Sequence, residues 1–349
     1  MEERPNIDFT IDRQPRMLSL IVLVAGMFIG TLLGLGLSEI LANWWGVNSS
    51  EAIQNLNENS TPTDRNFVRW STILNQLGSF LIPALFFTLF FYKYQWARFL
   101  QITNFPKFSN LILGAMLMIA TLPLVQFTYW LNLKVPLPDW AVELEEMTAG
   151  LIENLLKVDQ SYELWFNLFV VAVIPAVCEE FLFRGVIQKK LQQWFSKKNN
   201  SPENPILSQP EILDDTRDWN QLKTSNNIIT NHHLAIWIAA LIFSAIHFQF
   251  QGFLPRVLLG AVLGYLFYWT GNLWVAIFGH FVNNAFSVVG QYLFQTGQID
   301  VDLDNTDDVS WTATIISLVV VIFLGNLFIK NNLPDRQVGN TNSEGDLIA

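Results

Sequence analysis

One long apolar stretch of the chain carries three charged residues, LWFNLFVVAVIPAVCEEFLFRGVI at residues 164–187. A run of roughly 17 to 25 mostly apolar residues matches the length of helix that crosses about 30 Å of hydrocarbon. The stretch lacks the polar stripe at helical spacing that a helix on the surface of a soluble protein shows. It therefore predicts a transmembrane helix that contains Glu179, Glu180 and Arg184.

Blocks of the same kind lie on both sides of this stretch. Hydrophobic residues make up 51% of the 349-residue chain and charged residues only 14%, whereas a soluble globular protein carries about 25% charged residues. The sequence therefore predicts an all-α fold, a polytopic transmembrane helix bundle of about eight spans. Besides 164–187, the predicted spans are 17–42, 72–92, 109–131, 234–250, 254–270, 273–296 and 311–329.

The charge distribution bears on partners and on orientation. The net charge of −10 disfavours nucleic acid as a partner, because no basic face can be assembled to displace phosphate counterions, and we expect none. If the amino terminus is cytoplasmic, fourteen Lys and Arg fall on the cytoplasmic side and five on the other, with Arg184 left inside a span. By the positive-inside rule, we expect an integral membrane protein with both termini in the cytoplasm, in a bacterial inner membrane.

The segments between the spans show little independent structure. Residues 43–70 are polar and predict an external loop. Residues 138–157 repeat apolar side chains with acids between them, the pattern of an amphipathic helix on the membrane surface, which serves either as a packing flap or as a gate over a site. Residues 192–232 form a polar insertion on the cytoplasmic side, and we expect it and the tail from Asn331 to be flexible.

Polar side chains inside a bilayer are costly, so they pair, line a cavity or do chemistry. Glu180 and Arg184 are four residues apart and share a helix face, which predicts a buried ion pair. Glu179 is rotated about 100° from Glu180 and has no partner on its own helix, so we expect its partner on another helix.

Two further spans supply polar residues at helical spacing. Phe243 and His247 are four apart in the span at 234–250, and His280 is four residues before Asn284 in the span at 273–296. Two histidines and an unpaired glutamate on three different helices are more than packing alone requires. They indicate a reactive site built from several helices.

These residues lie in three strings, EEFLFR at 179–184, FSAIH at 243–247 and HFVNN at 280–284. The strings resemble the three signature motifs of the CPBP family of intramembrane proteases, which comprises type II CAAX prenyl proteases and bacteriocin-processing (ABI family) proteins. The resemblance implies that Glu179, His247, His280 and Asn284 form the active site. Glu180, Arg184, Phe243 and Asn283 support it.

The resemblance also implies three regions. Residues 1–160 hold amino-terminal transmembrane helices and the amphipathic loop, residues 161–296 form a CAAX-protease-like catalytic core, and residues 297–349 hold an acidic loop, the last span and a flexible tail. The implied substrate is a membrane-associated or carboxyl-terminal (CAAX-like) protein or peptide, cut within the lipid bilayer.

Peptide hydrolysis needs a base for water, donors for the oxyanion and an acid for the leaving amine. Glu179 with His247 can activate the water, and His280 with Asn284 can stabilise the oxyanion. The same Glu179, His247 and His280 also make a possible ligand set for a single divalent metal such as zinc, so a metal-free and a metal-dependent mechanism both stay open. Cys178 is not expected to be the nucleophile, because nothing near it in sequence favours a thiolate.

Two other functions fit the same polar residues. Glutamate, histidine and arginine at bilayer depth also build the proton relays of proton-coupled transporters, although no repeat between the two halves supports this. A non-catalytic membrane protein of the bacteriocin-immunity type keeps the fold without the reaction.

Overall fold

In the computed structural model, residues 14–198, 228–299 and 309–332 are described. The described α-helices are α1 (Arg16–Trp45), α2 (Ser49–Gln54), α3 (Pro62–Gln76), α4 (Ile82–Tyr92), α5 (Trp96–Leu100), α6 (Phe108–Asn132), α7 (Asp139–Leu156), α8 (Ser161–Asn167), α9 (Ile174–Leu182), α10 (Lys189–Phe195), α11 (His232–Ala245), α12 (Phe253–Thr270), α13 (Leu273–Gln295) and α14 (Trp311–Asn332). Two short antiparallel strands, β1 (Ser196–Lys198) and β2 (Ile228–Thr230), stand at the two ends of the 199–227 segment.

Within the described residues, seven helical segments are long and apolar enough to cross a membrane. They are Arg16–Trp45, Pro62–Leu100, Phe108–Asn132, Ser161–Phe195, Phe253–Thr270, Leu273–Gln295 and Trp311–Asn332. The prediction of an all-α, polytopic helix bundle is confirmed, and the chain is an integral membrane protein. The remaining predicted span, 234–250, is the shorter apolar helix α11, which ends at Ala245.

The prediction of an external loop at 43–70 is wrong. The stretch contains α2, and α3 begins at Pro62 with Thr61 as its N-cap in a capping box with Asp64. The error has a physical cause. The charges of Arg65 and Arg69 suggested a solvent-exposed loop, but both side chains are buried and paired with Glu163 of another helix. The predicted flexible insertion and tail and the acidic loop fall largely on residues 199–227, 300–308 and 333–349, outside the described residues.

In the part of the chain that the structure describes, three π-helical turns interrupt the long helices, Leu77–Leu81, Leu168–Val173 and Phe183–Gln188. Two of them directly precede an α-helix with proline at its second residue, Pro83 in α4 and Pro175 in α9. Proline has no N–H to give to the carbonyl four residues before it, and a wider turn at that point accommodates the missing bond. Such turns are frequent at functional sites.

Small residues bring the first helix close to α3 and the turn after it. A Cβ on Gly30 would collide with the carbonyl oxygen of Gly78, and one on Gly34 would lie 2.9 Å from the carbonyl oxygen of Leu74. Close approach at such positions is the usual packing device in membranes, where water does not drive helices together. The main core then lies between α4, α9, the Phe183–Gln188 turn and α13, with Phe87, Phe183 and Leu273 almost fully buried.

A buried ionic cluster joins α3 to α8, and we call it the Glu163 cluster. Its members are Arg65, Arg69, Glu163 and Asn167, all at most 1% exposed. Arg69 donates to Glu163 at 2.8 Å and to Asn167 at 2.8 Å, and the Arg65 Nε donates to Glu163 at 3.3 Å. The backbone N–H groups of Asp159 and Gln160 complete the bonding of the Glu163 carboxylate.

Candidate active site

The short helix α9 lies between two π-helical turns and presents the paired glutamates to the bundle interior. Glu179 is 4% exposed and Glu180 is fully buried. Since adjacent residues on a helix point about 100° apart, the two carboxylates face different partners. This separation gives each glutamate its own environment.

Glu179 finds its partner on another helix, as expected. The Gln76 Nε2 atom, at the end of α3, donates to Glu179 Oε1 at 3.0 Å. The other carboxylate oxygen of Glu179, Oε2, lies 3.9 Å from His280 Nε2. That distance is too long for a direct hydrogen bond, and one water can contact both atoms. The carboxylate is therefore held at one oxygen and available at the other.

Glu180 forms the predicted ion pair and also orients a histidine. Arg184 Nη1 donates to Glu180 Oε1 at 2.7 Å, and His280 Nδ1 lies 2.8 Å from the same oxygen. An ionised carboxylate only accepts hydrogen bonds, so Nδ1 carries the proton and donates. This bond turns Nε2 of His280 towards Glu179, the way a carboxylate orients the imidazole of a catalytic histidine.

Arg184 is held from the opposite side by α12. Its Nη2 donates to the carbonyl oxygen of Gly260 at 2.9 Å, and one turn later Gln188 Nε2 donates to the carbonyl oxygen of Gly264 at 3.0 Å. Both acceptors are glycines, where no Cβ shields the backbone oxygen. The guanidinium carbon also lies 4.8 Å from the centroid of the Phe243 ring, a distance at which a cation and an aromatic face attract.

His247 lies just past the end of α11, in the turn that leads to α12. Its Nδ1 is 2.7 Å from the carbonyl oxygen of Phe243, so Nδ1 donates and Nε2 is left as an acceptor in the neutral ring. Phe243 lies between the two histidines, with ring centroids 5.0 Å from His247 and 6.1 Å from His280. The structure thus brings both motif histidines against one phenylalanine.

Asn284 has a structural contact that the sequence did not indicate. Its Nδ2 donates at 3.1 Å to the carbonyl oxygen of Val171, and its Oδ1 accepts from Asn283 at 3.1 Å. Val171 is four residues before Pro175, which has no N–H to offer that carbonyl. Asn284 therefore satisfies an acceptor that the proline leaves open, and one N–H of its amide remains for another contact.

The metal hypothesis concerns Glu179, His247 and His280. Among the described residues there is no group of three or more His, Cys, Asp or Glu side chains placed to hold a metal ion. Glu179, His247 and His280 therefore do not form a three-residue ligand set in this geometry. Cys178 is a free, buried thiol.

Sequence reasoning missed Gln76 and Gln188. Gln76 belongs to a run of polar residues at the start of the predicted span 72–92, and polar side chains at bilayer depth are the signal that identified Glu179. Gln188 follows Arg184 by four residues, so it shares the face that carries Glu180 and Arg184. Both residues were recognisable as polar groups in apolar helices.

The fold and the site define a class, a polytopic membrane protein with a buried glutamate–histidine site assembled from several helices. The family model described as type II CAAX prenyl endopeptidase Rce1-like matches residues 161–209 and 216–286. This part of the chain, which contains all three motifs, matches that family, and the match confirms the resemblance seen in the sequence.

Two other comparisons add little to this assignment. An uncharacterized protein of Bacillus subtilis (strain 168), YpbD, is 37% identical over 57 residues, which cover 15% of this chain and 30% of that relative. No solved structure matches the chain.

Proposed function

We propose that the protein is an intramembrane endopeptidase that hydrolyses a peptide bond of a membrane-associated or carboxyl-terminal protein segment. The observation that supports it best is the Glu179 carboxylate, which is buried, bonded at one oxygen to Gln76 and separated by 3.9 Å from His280 at the other. A base for peptide hydrolysis needs this combination of a fixed position and an available oxygen.

In the proposed reaction, Glu179 takes a proton from a water while the water oxygen attacks the scissile carbonyl carbon. His247 Nε2 accepts the second hydrogen of that water and so orients it. The proton on Glu179 then passes to the leaving amine as the carbon–nitrogen bond breaks. No step requires a metal ion, in keeping with the arrangement of the three side chains.

The oxyanion is stabilised from the side of His280. A protonated His280 and Arg184 together balance the charges of Glu179 and Glu180, so the buried group of four carries no net charge, the condition under which ions are tolerated inside a bilayer. In this state His280 Nε2–H donates to the oxyanion, and the second N–H of the Asn284 amide is the further donor.

The test is cleavage of membrane peptides by the purified protein in lipid nanodiscs. We expect Glu179→Gln, His247→Ala and His280→Ala each to lower kcat/KM by about 100-fold or more, the usual contribution of a positioned acid or base. The matched controls are Glu39→Gln, on the exposed face of α1, and His233→Ala, at the exposed start of α11. Both should cleave like the parent.

Three outcomes would redirect the assignment. Cleavage by all three site variants at the parental rate makes the peptidase proposal wrong. Cleavage that is lost with a chelator and restored by zinc makes the metal-free mechanism wrong. Proton uptake into liposomes that disappears with Glu179→Gln, without any peptide cleavage, supports the proton-coupled transporter instead.

We also propose that both termini face the cytoplasm of a bacterial inner membrane. Arg65 and Arg69 were two of the five Lys and Arg residues counted on the non-cytoplasmic side, but both are paired with Glu163 inside the bundle. The bias of Lys and Arg towards the cytoplasmic side is therefore stronger than the sequence count. Reporter fusions at the two ends should both report a cytoplasmic location; a periplasmic signal from either one contradicts the orientation.

A further inference from the structure

The turn that carries His247 has an uncommon backbone. Phe248, the next residue, has a φ of 51°, a left-handed conformation that is unfavourable for a bulky side chain. Such a residue persists only where its surroundings hold it. We call residues 246–252 the His247 turn, and the contacts that hold it come from three separate elements.

The first holding contact comes from the end of α6. Asn132 Nδ2 donates to the carbonyl oxygen of Phe250 at 2.9 Å, and its Oδ1 accepts from the Leu254 N–H at 2.8 Å. The second comes from α12, where Arg256 Nη2 donates to the carbonyl oxygen of Gln249 at 2.6 Å. Both contacts fix the part of the turn that leads into α12.

The third holding contact comes from α7, the amphipathic surface helix. Glu145 Oε1 accepts hydrogen bonds from two consecutive backbone N–H groups, those of Phe250 and, at 3.2 Å, Gln251. Trp140, about one turn earlier on α7, packs edge-to-face on the Phe250 ring with centroids 5.4 Å apart. A carboxylate that accepts from backbone N–H groups makes a strong, charge-assisted hydrogen bond.

The other end of α7 is fixed independently of the turn. The carbonyl oxygens of Leu155 and Lys157 accept from Arg69 Nη2 at 2.9 and 3.1 Å, and that of Leu156 accepts from Asn167 at 2.9 Å. Between the two attachments most of the helix is exposed or half-buried. The helix is therefore anchored by the Glu163 cluster at one end and held to the His247 turn at the other by Glu145.

From these contacts we infer that Glu145 is a positioning residue for His247, and that docking of α7 on the His247 turn sets the orientation of the imidazole. The inference rests on the proposed peptidase function for its effect on rate, but not for its effect on the turn. It explains why α7 needs an acid at this position, and it assigns the surface helix a part in the site rather than a packing role alone.

The first experiment measures the turn without using activity. Hydrogen exchange of the Phe250 and Gln251 amides is compared in parent, Glu145→Ala and Glu146→Ala protein in nanodiscs. Glu146 is the next residue on α7, is exposed and carries the same charge. We expect about 10-fold faster exchange in Glu145→Ala, the loss expected for a hydrogen bond to a charged group, and parental exchange in Glu146→Ala. Parental exchange in both variants overturns the inference.

The second measurement follows the imidazole itself. With ¹⁵N-labelled histidine, the His247 signal is identified by its absence in His247→Ala, and its shift and pH titration are recorded in the two glutamate variants. We expect both to change in Glu145→Ala and not in Glu146→Ala. An unchanged His247 signal, with faster exchange of the turn, shows that Glu145 holds the turn without positioning the imidazole and overturns the proposal.

Cleavage provides the third readout. Glu145→Ala should lower kcat by about 10-fold with little change in KM, because a misoriented His247 holds the attacking water poorly, which affects the chemical step more than binding. Glu145→Gln keeps an acceptor oxygen and should recover part of both kcat and slow exchange. An inactive parent with the expected exchange and histidine signals refutes the peptidase function alone, whereas an active Glu145→Ala variant with parental kcat refutes the positioning role alone. Glu179→Gln should lose cleavage but keep slow exchange of the Phe250 and Gln251 amides, so it separates the test of the peptidase function from the test of the positioning role.

Discussion

Among the described residues, two buried groups of charge, the Glu163 cluster and the active site, differ in their bonding. In the Glu163 cluster, two arginines and two backbone N–H groups donate to one carboxylate, so both oxygens of Glu163 are occupied. In the active site, Glu179 has one side-chain donor among the described residues, Gln76, and an oxygen 3.9 Å from His280. The Glu163 carboxylate therefore has no acceptor position left for a ligand, whereas the Glu179 carboxylate can still accept a hydrogen bond from one.

This difference separates a structural ion pair from a reactive one. Burying a charge is tolerated when its hydrogen-bonding capacity is met by fixed partners, and Glu163 meets that condition. Glu179 does not, and its Oε2 atom is available to bind the water of the proposed reaction. Buried charge alone therefore does not identify the active site; in this molecule the Glu179 oxygen that faces His280 Nε2 does.

The largest expected effect is on stability, at the Glu163 cluster. Glu163→Gln leaves the buried Arg69 without a carboxylate and Arg65 with Asp159 as its remaining acid. Removal of one partner of a buried pair costs about 3 to 5 kcal/mol. We expect a correspondingly lower free energy of unfolding in detergent micelles, with parental cleavage by the molecules that stay folded.

The control for this variant is Glu153→Gln, an exposed acid on α7, which should change stability by less than about 0.5 kcal/mol. Glu179→Gln should show the opposite pattern, with lost cleavage and nearly parental stability. The comparison between the two clusters is wrong if Glu163→Gln is as stable as the parent, or if Glu179→Gln destabilises the fold as strongly.

An intermediate effect is expected at Gln76, on activity. Gln76→Leu removes the donor that holds Glu179, and a hydrogen bond to a charged group contributes about 1.5 to 3 kcal/mol, equivalent to about a 10- to 100-fold lower kcat. Thr72→Val, one turn earlier on α3, removes a bond to the carbonyl of Val68 within the same helix and should keep parental kcat. Equal kcat for the two variants would show that Gln76 does not position the glutamate.

The sequence predicts the parts of this molecule that depend on local patterns. The length of the apolar stretches predicted the transmembrane spans. The four-residue spacing of Glu180 and Arg184 predicted their ion pair, which the structure confirms with a distance of 2.7 Å between Nη1 and Oε1. The motif histidines were recognisable because polar groups in apolar helices are rare. None of these inferences requires knowing which helices are neighbours.

The parts that were missed depend on contacts between distant segments. Arg65 and Arg69 read as loop charges because their partner, Glu163, is more than 90 residues away. Apolar residues continue past Ala245, so the pattern extended α11 by several residues. The chain leaves the helix there because Asn132 and Glu145 bind the backbone groups of the turn, and no periodicity reports such side-chain contacts.

A smaller effect on stability than at Glu163 is expected at Asn284, and it tests which of two roles that residue has. As a partner for the Val171 carbonyl, Asn284 matters for stability: Asn284→Ala leaves the carbonyl unsatisfied, at about 1 to 3 kcal/mol. As an oxyanion donor it also matters for rate, and loss of one such donor lowers kcat by about 100- to 1,000-fold. The two roles are separated by measuring unfolding and kcat on the same preparation.

A second substitution makes that separation independent of protein damage. Pro175→Ala restores a backbone N–H four residues after Val171, which can donate to the carbonyl in the ordinary helical pattern. In the Asn284→Ala background it should recover most of the lost stability. If kcat stays low after this recovery, Asn284 acts on the reaction; if kcat returns with stability, its amide serves the backbone that Pro175 leaves open, and the oxyanion is stabilised from His280 alone.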